Sequence, residues 1–403
     1  MYAVRRLRVV ALCLVIVSPL ILLLYNPKTV LELHPVNSIR FSVFPSGEIF
    51  GLGKNGSQCL PHEHVMFLKT HKCASTTVQN VLMRYGFKHN LTFALPRNGN
   101  GFGMPELFQA EMIPKKLLPP SGKIDIFPIH SRLNVPEHSK ILHEDSRWVT
   151  IVRDPSRQYE SLFIYYKLRE SYGLNLTQFR DMPIEKLDAL PRKDGIFGKN
   201  QMLFDLGYPD NMSVSQLRSA LDRLDKLFDL VMISEFMDES LILLRHLLCW
   251  SLDDVVSFTM NARREEAKPP LDPELLSALR ELNSADVLLY DHFLSKHRKA
   301  VLEFGLSKMA DEVEELRALQ NKYYKDCGTR EVEVYSGLVN VYFASNKQEQ
   351  KCVMMTLPEL PLVNAARRHQ RALLESLKPS TIRPSSKSNK GLASNRHTTE
   401  NIP

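Results

Sequence analysis

The stretch Val65-Met-Phe-Leu-Lys-Thr-His-Lys-Cys-Ala-Ser-Thr-Thr-Val78 decides how this chain folds. Its first four residues are apolar and predict a short buried strand. A mostly polar stretch, Lys69–Thr77, follows, and apolar residues then recur at helical spacing from Val78 to Tyr85. The pattern therefore predicts a strand, a polar turn and a helix in direct succession.

The same pattern returns further along the chain. Trp148–Val152 predicts a second buried strand, followed by Arg153, by Asp154 as a helix N-cap and by Pro155 at the first helical position. Another buried strand is expected at Leu230–Ile233. Strands that alternate with helices favour an α/β fold, with a parallel sheet covered by helices on both faces.

In the last third of the chain the sequence pattern changes from helical to strand-like and then loses its periodicity. Residues 272–325 read as helical, and 331–343 alternate well enough for one or two strands. After residue 377 every periodic signal is lost, and Ser, Lys, Asn, Thr and Pro dominate. We expect this tail to be disordered.

The amino terminus predicts a membrane anchor. Three arginines before residue 9 precede an apolar run over residues 9–25, which as a helix would span roughly 25 Å. No small-residue cleavage site follows, so the run reads as an uncleaved signal anchor with a cytoplasmic amino terminus. The predicted domains are a cytoplasmic tail (1–8), a transmembrane anchor (9–25), a stem (26–60), a lumenal domain (61–377) and a disordered basic tail (378–403).

Composition narrows the class of protein. The 403 residues include 52 Lys and Arg against 45 Asp and Glu, a formal net charge of +7. The apolar share of 44% and charged share of 24% exclude a wholly disordered chain, a collagen-like fibre and a polytopic membrane protein. The excess charge lies before the apolar run and in the tail, and residues 26–377 sum to zero. We therefore expect no nucleic-acid partner.

Sequons and cysteines agree with a lumenal domain. Sequons of the form N-x-[ST] occur at Asn55, Asn90, Asn175 and Asn211, and the sequence leaves open which of them carry glycans. Five cysteines follow the apolar run, so at least one is free or pairs between chains. Cys327 and Cys352 flank a strand-rich segment and are a reasonable disulfide pair in an oxidising lumen. No cysteine or histidine spacing is typical of zinc, so we predict no structural metal.

The polar turn after the first strand is the strongest candidate site. A helix N-terminus with hydroxyls and lysines in front of it can hold a phosphate or a sulfate. A Walker A loop needs G-x-x-x-x-G-K-[ST], and Lys69–Thr77 contains no glycine, which disfavours an ATP-dependent kinase. A polar turn with a Ser or Thr cap is the alternative.

Two further features could join that site. Arg153 ends a buried strand, at the edge where open α/β sheets bind ligands, and Ser161 lies two turns along the next helix. Both could hold one phosphate, or Arg153 could simply pair with Asp154. Of the histidines, His71 lies in the polar turn and His130 follows the apolar stretch 124–129. Either could act as a general base, and the residues alone do not choose between them.

These segments resemble a known family. Phe67-Leu-Lys-Thr-His-Lys-Cys-Ala-Ser-Thr-Thr is similar to the 5′-phosphosulfate loop of the Golgi galactose 3-O-sulfotransferases, and Val152-Arg-Asp-Pro-Ser-Arg-Gln-Tyr-Glu-Ser-Leu-Phe-Ile-Tyr-Tyr to their 3′-phosphate segment. Similarity continues through Leu203-Phe-Asp-Leu-Gly-Tyr and covers about residues 59–360. Leu248-Cys-Trp, Asn261-Ala-Arg-Arg and Cys59 most resemble the members that act on galactosylceramide.

The resemblance implies a P-loop-like sulfotransferase fold and a Golgi enzyme of single-pass type II topology. The donor would be 3′-phosphoadenosine 5′-phosphosulfate (PAPS), without a metal, and the acceptor the 3-hydroxyl of a β-galactose. By resemblance His130 is the base, Lys72 contacts the transferred group and His71 is a second catalytic candidate. The implied donor-binding residues are Lys69, Thr70, Lys72, Cys73, Ala74, Ser75, Thr76, Thr77, Arg153 and Ser161.

Two positions depart from the family's pattern. Cys73 stands where threonine is usual, which would alter one hydroxyl contact. Pro128 stands where cysteine is expected, which would leave Cys59 or Cys249 without its usual partner. Three alternatives stay open: a glycoprotein acceptor ending in Galβ1-3/4GlcNAc, a nucleotide kinase, and a catalytically inactive glycan-binding protein. A homodimer is also left open.

Overall fold

A parallel β-sheet forms the centre of the fold. The computed structural model describes residues 59–258, 271–334 and 340–377. In that part of the chain, four parallel strands are ordered β2-β1-β3-β4 and a separate antiparallel hairpin joins β5 to β6. Helices flank the parallel sheet, so the predicted α/β class is confirmed.

The secondary-structure elements of the described residues have the following bounds. The strands are β1 Val65–Leu68, β2 Ile126–Phe127, β3 Arg147–Val152, β4 Leu230–Ile233, β5 Arg330–Val334 and β6 Asn340–Ala344. The helices are α1 Ser75–His89, α2 Val135–Ile141, α3 Pro155–Tyr165, α4 Leu168–Tyr172, α5 Ile184–Asp188, α6 Gln201–Asp205, α7 Val214–Leu227, α8 Met237–Leu248, α9 Leu252–Val255, α10 Pro273–Leu282, α11 Ser284–Phe304, α12 Leu306–Asp326, α13 Gln350–Thr356 and α14 Glu359–Ser376.

The strand order fixes where a ligand can bind. β1 lies between β2 and β3, with Val65 opposite Ile126 on one side and Arg147 on the other. The chain therefore leaves β1 toward one side of the sheet and returns across it to form β3. Right-handed connections in opposite directions lie on opposite faces, which opens a crevice at the carboxyl ends of β1 and β3.

Strands β1, β2 and β4 consist entirely of apolar residues and are buried. Every residue of β1 is inaccessible to solvent, and all four residues of β4 are buried. Strands covered on both faces have this composition. A second apolar cluster packs Tyr159 and Phe163 of α3 against Leu275 and Leu279 of α10, which fixes the helix that follows β3.

The start of α3 is as the sequence predicts. The Asp154 side chain accepts hydrogen bonds from the backbone N–H groups of Ser156 and Arg157, and Pro155 occupies the first helical position. Asp154 also pairs with Arg280 of α10 at 2.6 Å. The cap therefore holds α3 to β3 and to α10 at once.

One expected strand is much shorter than its apolar stretch. Residues 124–129 are apolar enough for a full strand, but only Ile126–Phe127 pair with β1. Pro128 follows directly and has no N–H group to continue the ladder. The residues beyond it, up to His130, therefore run as irregular chain along the edge of the crevice.

The predictions for residues 272–325 and 331–343 are confirmed in outline. The helical region 272–325 forms α10, α11 and α12, which are separated by Asn283 and by Gly305. Gly305 has a φ of 99°, a value that favours glycine. The alternating segment forms the hairpin of β5 and β6.

Two disulfides are present in the described residues. Cys327 pairs with Cys352 as predicted. Cys59 pairs with Cys249, so both have a partner although Pro128 stands where cysteine is expected. Their Cα atoms lie 5.8 Å apart, an ordinary spacing for a disulfide. The buried Cys73 is the free thiol of this part of the chain.

Several predictions fall on other parts of the chain. The cytoplasmic tail, the transmembrane anchor, nearly all of the stem, Asn55 and the tail 378–403 lie outside the described residues. Among the residues that are described, no helix is both long and apolar enough to cross a bilayer. The other sequon asparagines, Asn90, Asn175 and Asn211, are exposed, and their glycosylation stays a prediction.

The cap at α3 gives a stability prediction. Asp154→Ala removes the acceptor of two helix-terminal N–H groups, a change that costs about 1 kcal/mol, and it also breaks the ion pair with Arg280. We expect the melting temperature to fall by about 2 °C or more, measured by circular dichroism on the full chain. Asp222→Ala, at an exposed position within α7, is the control and should change it little. An equal shift in both variants would contradict a special role for the cap.

Candidate active site

A large cavity opens at the carboxyl ends of β1 and β3. Its volume is about 1340 Å³, above the usual range of about 300–1,000 Å³ for a small-molecule site. Ten of the predicted site residues line it: Lys69, His71, Lys72, Ala74, Ser75, Thr76, Thr77, His130, Arg153 and Ser161. The cavity therefore has room for a nucleotide and a second ligand.

The loop between β1 and α1 holds an unusual backbone. Lys72 and Ala74 both have left-handed φ values, 62° and 60°, although neither is glycine. Such strain persists where the surroundings impose it and is common at functional sites. Ala74 is the N-cap of α1, and no side chain caps the helix there. The cap expected in the alternative reading of this turn is absent, and the helix start lines the cavity.

Three residues of the predicted set direct their side-chain polar groups to backbone carbonyls of the loop or of β3 rather than into the cavity. The Thr70 hydroxyl donates a hydrogen bond to the Ile151 carbonyl of β3, and Ser75 donates to the Thr70 carbonyl. The Cys73 thiol is fully buried and donates to the His71 carbonyl. Burial raises the pKa of Cys73 far above its usual range. These side chains shape the loop, and any donor contact they make comes from their backbone.

Lys69 is the centre of a buried polar cluster. Its ammonium lies 2.8 Å from His130 Nε2, 3.0 Å from the Glu359 carboxylate and 3.3 Å from the Thr76 hydroxyl. Burial alone would raise the pKa of Glu359, but the Lys69 charge and a hydrogen bond with Asn100 lower it. Glu359 is the first residue of α14. The ion pair therefore ties the start of α14 to the end of β1.

Both ring nitrogens of His130 are engaged. Nδ1 donates to the Lys69 carbonyl at 2.9 Å, so Nε2 is the acceptor that faces the Lys69 ammonium. Burial, and then the Lys69 charge, hold the pKa of His130 well below its ordinary value. His130 is consequently neutral at physiological pH and holds Lys69 in place.

His71 is arranged differently. Its Nδ1 lies 2.9 Å and 3.0 Å from the two carboxylate oxygens of Asp205, and its backbone N–H donates to the same group at 2.7 Å. Asp205 is inaccessible to solvent. The His71 ring stacks on His130 with centroids 4.1 Å apart, and Nε2 has no hydrogen-bond partner among the described residues. A buried carboxylate on Nδ1 orients an imidazole for proton transfer at Nε2.

Arg153, which directly follows β3, contacts both the loop after β1 and the segment after β4. Its Nη1 donates to the Lys72 carbonyl at 3.0 Å, and its Nε lies 4.0 Å from Glu235. The Lys72 ammonium lies over the Tyr165 ring, 3.7 Å from the centroid. Ser161, on the same helix as Tyr165, lines the same cavity. Two cationic side chains and a hydroxyl thus surround one end of the cavity.

Sequence reasoning missed Asp205 and Glu359. Asp205 lies in the apolar run Met202-Leu-Phe-Asp-Leu206, and a lone acidic residue in such a run signals a carboxylate that is buried with partners. Glu359 is far from Lys69 in sequence and lies in no motif, so no local signal indicates it.

Comparison with known proteins identifies the family. The sequence model described as Galactose-3-O-sulfotransferase matches residues 2–335. Galactosylceramide sulfotransferase of Homo sapiens is 35% identical over 283 residues, 68% of this chain and 66% of that protein, just under two thirds of its length. Galactose-3-O-sulfotransferase 2 of Sus scrofa is 37% identical over 281 residues, 66% of this chain and 69% of that protein. Galactose-3-O-sulfotransferase 3 of Mus musculus is 35% identical over 283 residues, 66% of this chain and 63% of that protein. With most of its length matched by the family's model and these relatives above 30% identity, the chain belongs to the galactose-3-O-sulfotransferase family.

Proposed function

We propose that this protein transfers a sulfuryl group from PAPS to the 3-hydroxyl of a β-galactose in the Golgi lumen. The observation that carries the proposal is the pair of His71 and buried Asp205, which stands beside cationic residues in a cavity large enough for donor and acceptor. The names of the family's relatives supply the reaction class. The fold would be the P-loop-like sulfotransferase fold.

The donor would occupy the crevice between the loop that follows β1 and the segment that follows β3. The start of α1 provides backbone N–H groups from Ser75, Thr76 and Thr77, and the hydroxyls of Thr76 and Thr77, for the 5′-phosphosulfate. Arg153 and Ser161 would hold the 3′-phosphate, since a guanidinium binds phosphate with charge-assisted hydrogen bonds. The strained loop at Lys72 and Ala74 supports this role, because a preformed loop costs no ordering when the anion binds.

The reaction is an in-line displacement at sulfur. A bond forms between the galactose O3 and the sulfur while the bond from sulfur to the 5′-phosphate oxygen breaks. Adenosine 3′,5′-bisphosphate leaves with the bonding electrons, and the O3 proton goes to the base. Lys72 and the loop N–H groups would stabilise charge on the leaving oxygen, and positioning supplies much of the remaining acceleration.

The geometry favours His71 over His130 as the base. We expected His130 in that role, but its Nε2 already accepts a hydrogen bond from the Lys69 ammonium. His71 has Nδ1 held by Asp205 and lines the cavity. In this proposal His71 takes the acceptor proton at Nε2, and His130 positions Lys69 and supports the His71 ring by stacking.

The acceptor we favour is a galactolipid, galactosylceramide or lactosylceramide, and the product of the first is sulfatide. The side of the cavity near α8 and α14 is lined by Phe236, Met237, Pro358, Leu360 and Pro361, which suits an apolar group next to a sugar. The glycoprotein acceptor, with Galβ1-3/4GlcNAc ends, is the second candidate. A type II Golgi membrane topology would place the site next to either substrate.

An acceptor panel tests the function. The full chain, purified in detergent, is incubated with [³⁵S]PAPS and galactosylceramide, lactosylceramide or Galβ1-4GlcNAc. We expect label on the galactose 3-hydroxyl, with the glycolipids the better acceptors. Preference for the disaccharide would select the second candidate, and transfer from labelled ATP would revive the kinase. Failure to bind PAPS by calorimetry would indicate an inactive glycan-binding protein.

The base assignment gives a prediction for matched variants. His71→Ala should lower kcat about 10²–10⁴-fold, with the KM for PAPS within a few-fold and the acidic limb of the kcat pH profile lost. Asp205→Asn should lower kcat in the same direction. His130→Asn should keep that limb, because His71 remains. A variant set in which His130→Asn loses the limb and His71→Ala keeps it would return the role to His130.

The assignment of Arg153 to the 3′-phosphate of PAPS gives a further prediction. Arg153→Ala should raise the KM for PAPS at least about tenfold, since a charged hydrogen bond contributes about 1.5–3 kcal/mol. Adenosine 5′-phosphosulfate lacks the 3′-phosphate, so its binding should change little in this variant. Arg169→Ala, at an exposed position in α4, is the control. Equal losses for both nucleotides would mean that Arg153 acts only by holding the Lys72 carbonyl.

A further inference from the structure

The opposite edge of the sheet carries a second cluster of reactive side chains. His64 directly precedes β1, Asp125 precedes β2, and His143 and Asp145 lie shortly before β3. Because these strands are parallel, their amino ends meet at one edge, away from the cavity at their carboxyl ends. The mechanism proposed above uses none of these residues.

Three potential ligand atoms lie close together at this edge. His64 Nε2 lies 3.6 Å and His143 Nε2 lies 3.2 Å from the same oxygen, Asp125 Oδ1. The two imidazoles stack with centroids 3.8 Å apart and planes inclined by 9°, so one ring must rotate for both lone pairs to reach one ion. All three ligand atoms lie within 4.8 Å of one another, and the side chains are between 21% and 30% exposed. A solvated ion can reach them.

These separations are those of a zinc site. Zn²⁺ binds imidazole nitrogen and carboxylate oxygen at about 2.0–2.2 Å with tetrahedral geometry, which places neighbouring ligand atoms about 3.3–3.5 Å apart. The two measured separations from Asp125 Oδ1, 3.2 Å and 3.6 Å, closely bracket that range. Two imidazoles with one carboxylate favour Zn²⁺ over Mg²⁺ or Ca²⁺, which prefer oxygen ligands alone.

The surrounding residues orient the ligand atoms. His64 Nδ1 donates to Asp145 at 2.7 Å, which leaves the Nε2 lone pair toward Asp125. Asp125 Oδ2 accepts from the Thr92 N–H and from the Thr92 hydroxyl, both at 2.7 Å. Oδ1, the oxygen that faces both imidazoles, is then the one available to a metal. Carboxylate partners of this kind fix the tautomer of a metal-binding histidine.

We propose that His64, Asp125 and His143 bind one Zn²⁺ ion, with a fourth position open to solvent. The ion would join the starts of β1, β2 and β3, so its role would be structural. This revises the prediction of no structural metal, which rested on sequence spacing. The ligands come from three separate segments, and only the parallel sheet brings them together.

Zinc titration of the purified full chain tests the site. After treatment with EDTA, isothermal calorimetry with ZnCl₂ should show one ion per chain with micromolar or tighter affinity, and zinc should raise the melting temperature. His64→Ala and His143→Ala should each weaken binding at least a hundredfold. His292→Ala is the matched control, because His292 pairs with Asp225 at 3.2 Å without a second histidine, and its binding should equal that of the unaltered chain.

Two further measurements keep the result interpretable. Co²⁺ loading of the unaltered chain should give the visible absorption bands of a four-coordinate ion, which does not depend on the folding of any variant. Zinc held instead by the active-site histidines would be lost in His71→Ala and kept in His143→Ala. That pattern, or the absence of one-to-one binding to the unaltered chain, would overturn the proposal. Neither readout depends on the acceptor or on sulfotransferase activity.

Discussion

The candidate active site depends on one buried carboxylate. Asp205 has no solvent contact and accepts hydrogen bonds from the His71 N–H, from His71 Nδ1 and from Gln201. Leaving a buried hydrogen-bonding group without its partner typically costs about 1–3 kcal/mol, so these hydrogen bonds hold the loop against Asp205. The backbone of that loop is left-handed at Lys72 and at Ala74. The contacts of Asp205 therefore position both the loop that we propose faces the donor and the His71 ring that we propose faces the acceptor.

Asp205 is itself held in place from further away. It ends the short helix α6, whose first N–H groups, from Met202 and Leu203, donate to the Asp286 carboxylate of α11 at 2.9 Å each. The Asn200 N–H donates to Asn283 at 2.8 Å. Burial raises the pKa of Asp286 to about 7 even though those hydrogen bonds lower it. The orientation of His71 is thus transmitted through two carboxylates, from a long helix to a five-residue helix and then to the loop.

The sequence predicts the local features of this fold but does not predict its long-range side-chain pairings. Strands β1 and β4 have the predicted bounds, because four consecutive apolar residues between polar turns leave few alternatives. The Asp154 cap is likewise a matter of adjacent residues. In contrast, the partner of His71 lies 134 residues away, and the Lys69 ammonium occupies the nitrogen on which the His130 assignment depended. Resemblance located the histidines, but only tertiary contacts distinguish a ring with an open nitrogen from one with none.

The parallel sheet explains why the two stacked histidine pairs lie in different chemical environments. Residues that follow the strands, such as His71 and His130, meet at the crevice where connections diverge, and there their rings stack. Residues that precede the strands, such as His64 and His143, meet at the opposite edge, where carboxylates surround them. At the crevice, burial and the Lys69 ammonium lower the pKa of His130. His71 is oriented through Nδ1 by the Asp205 carboxylate, which leaves its Nε2 toward the cavity. At the opposite edge the imidazole nitrogens face negative charge, an arrangement that a divalent cation stabilises. The parallel topology therefore places histidines in two different chemical environments, according to the end of the strands at which they lie.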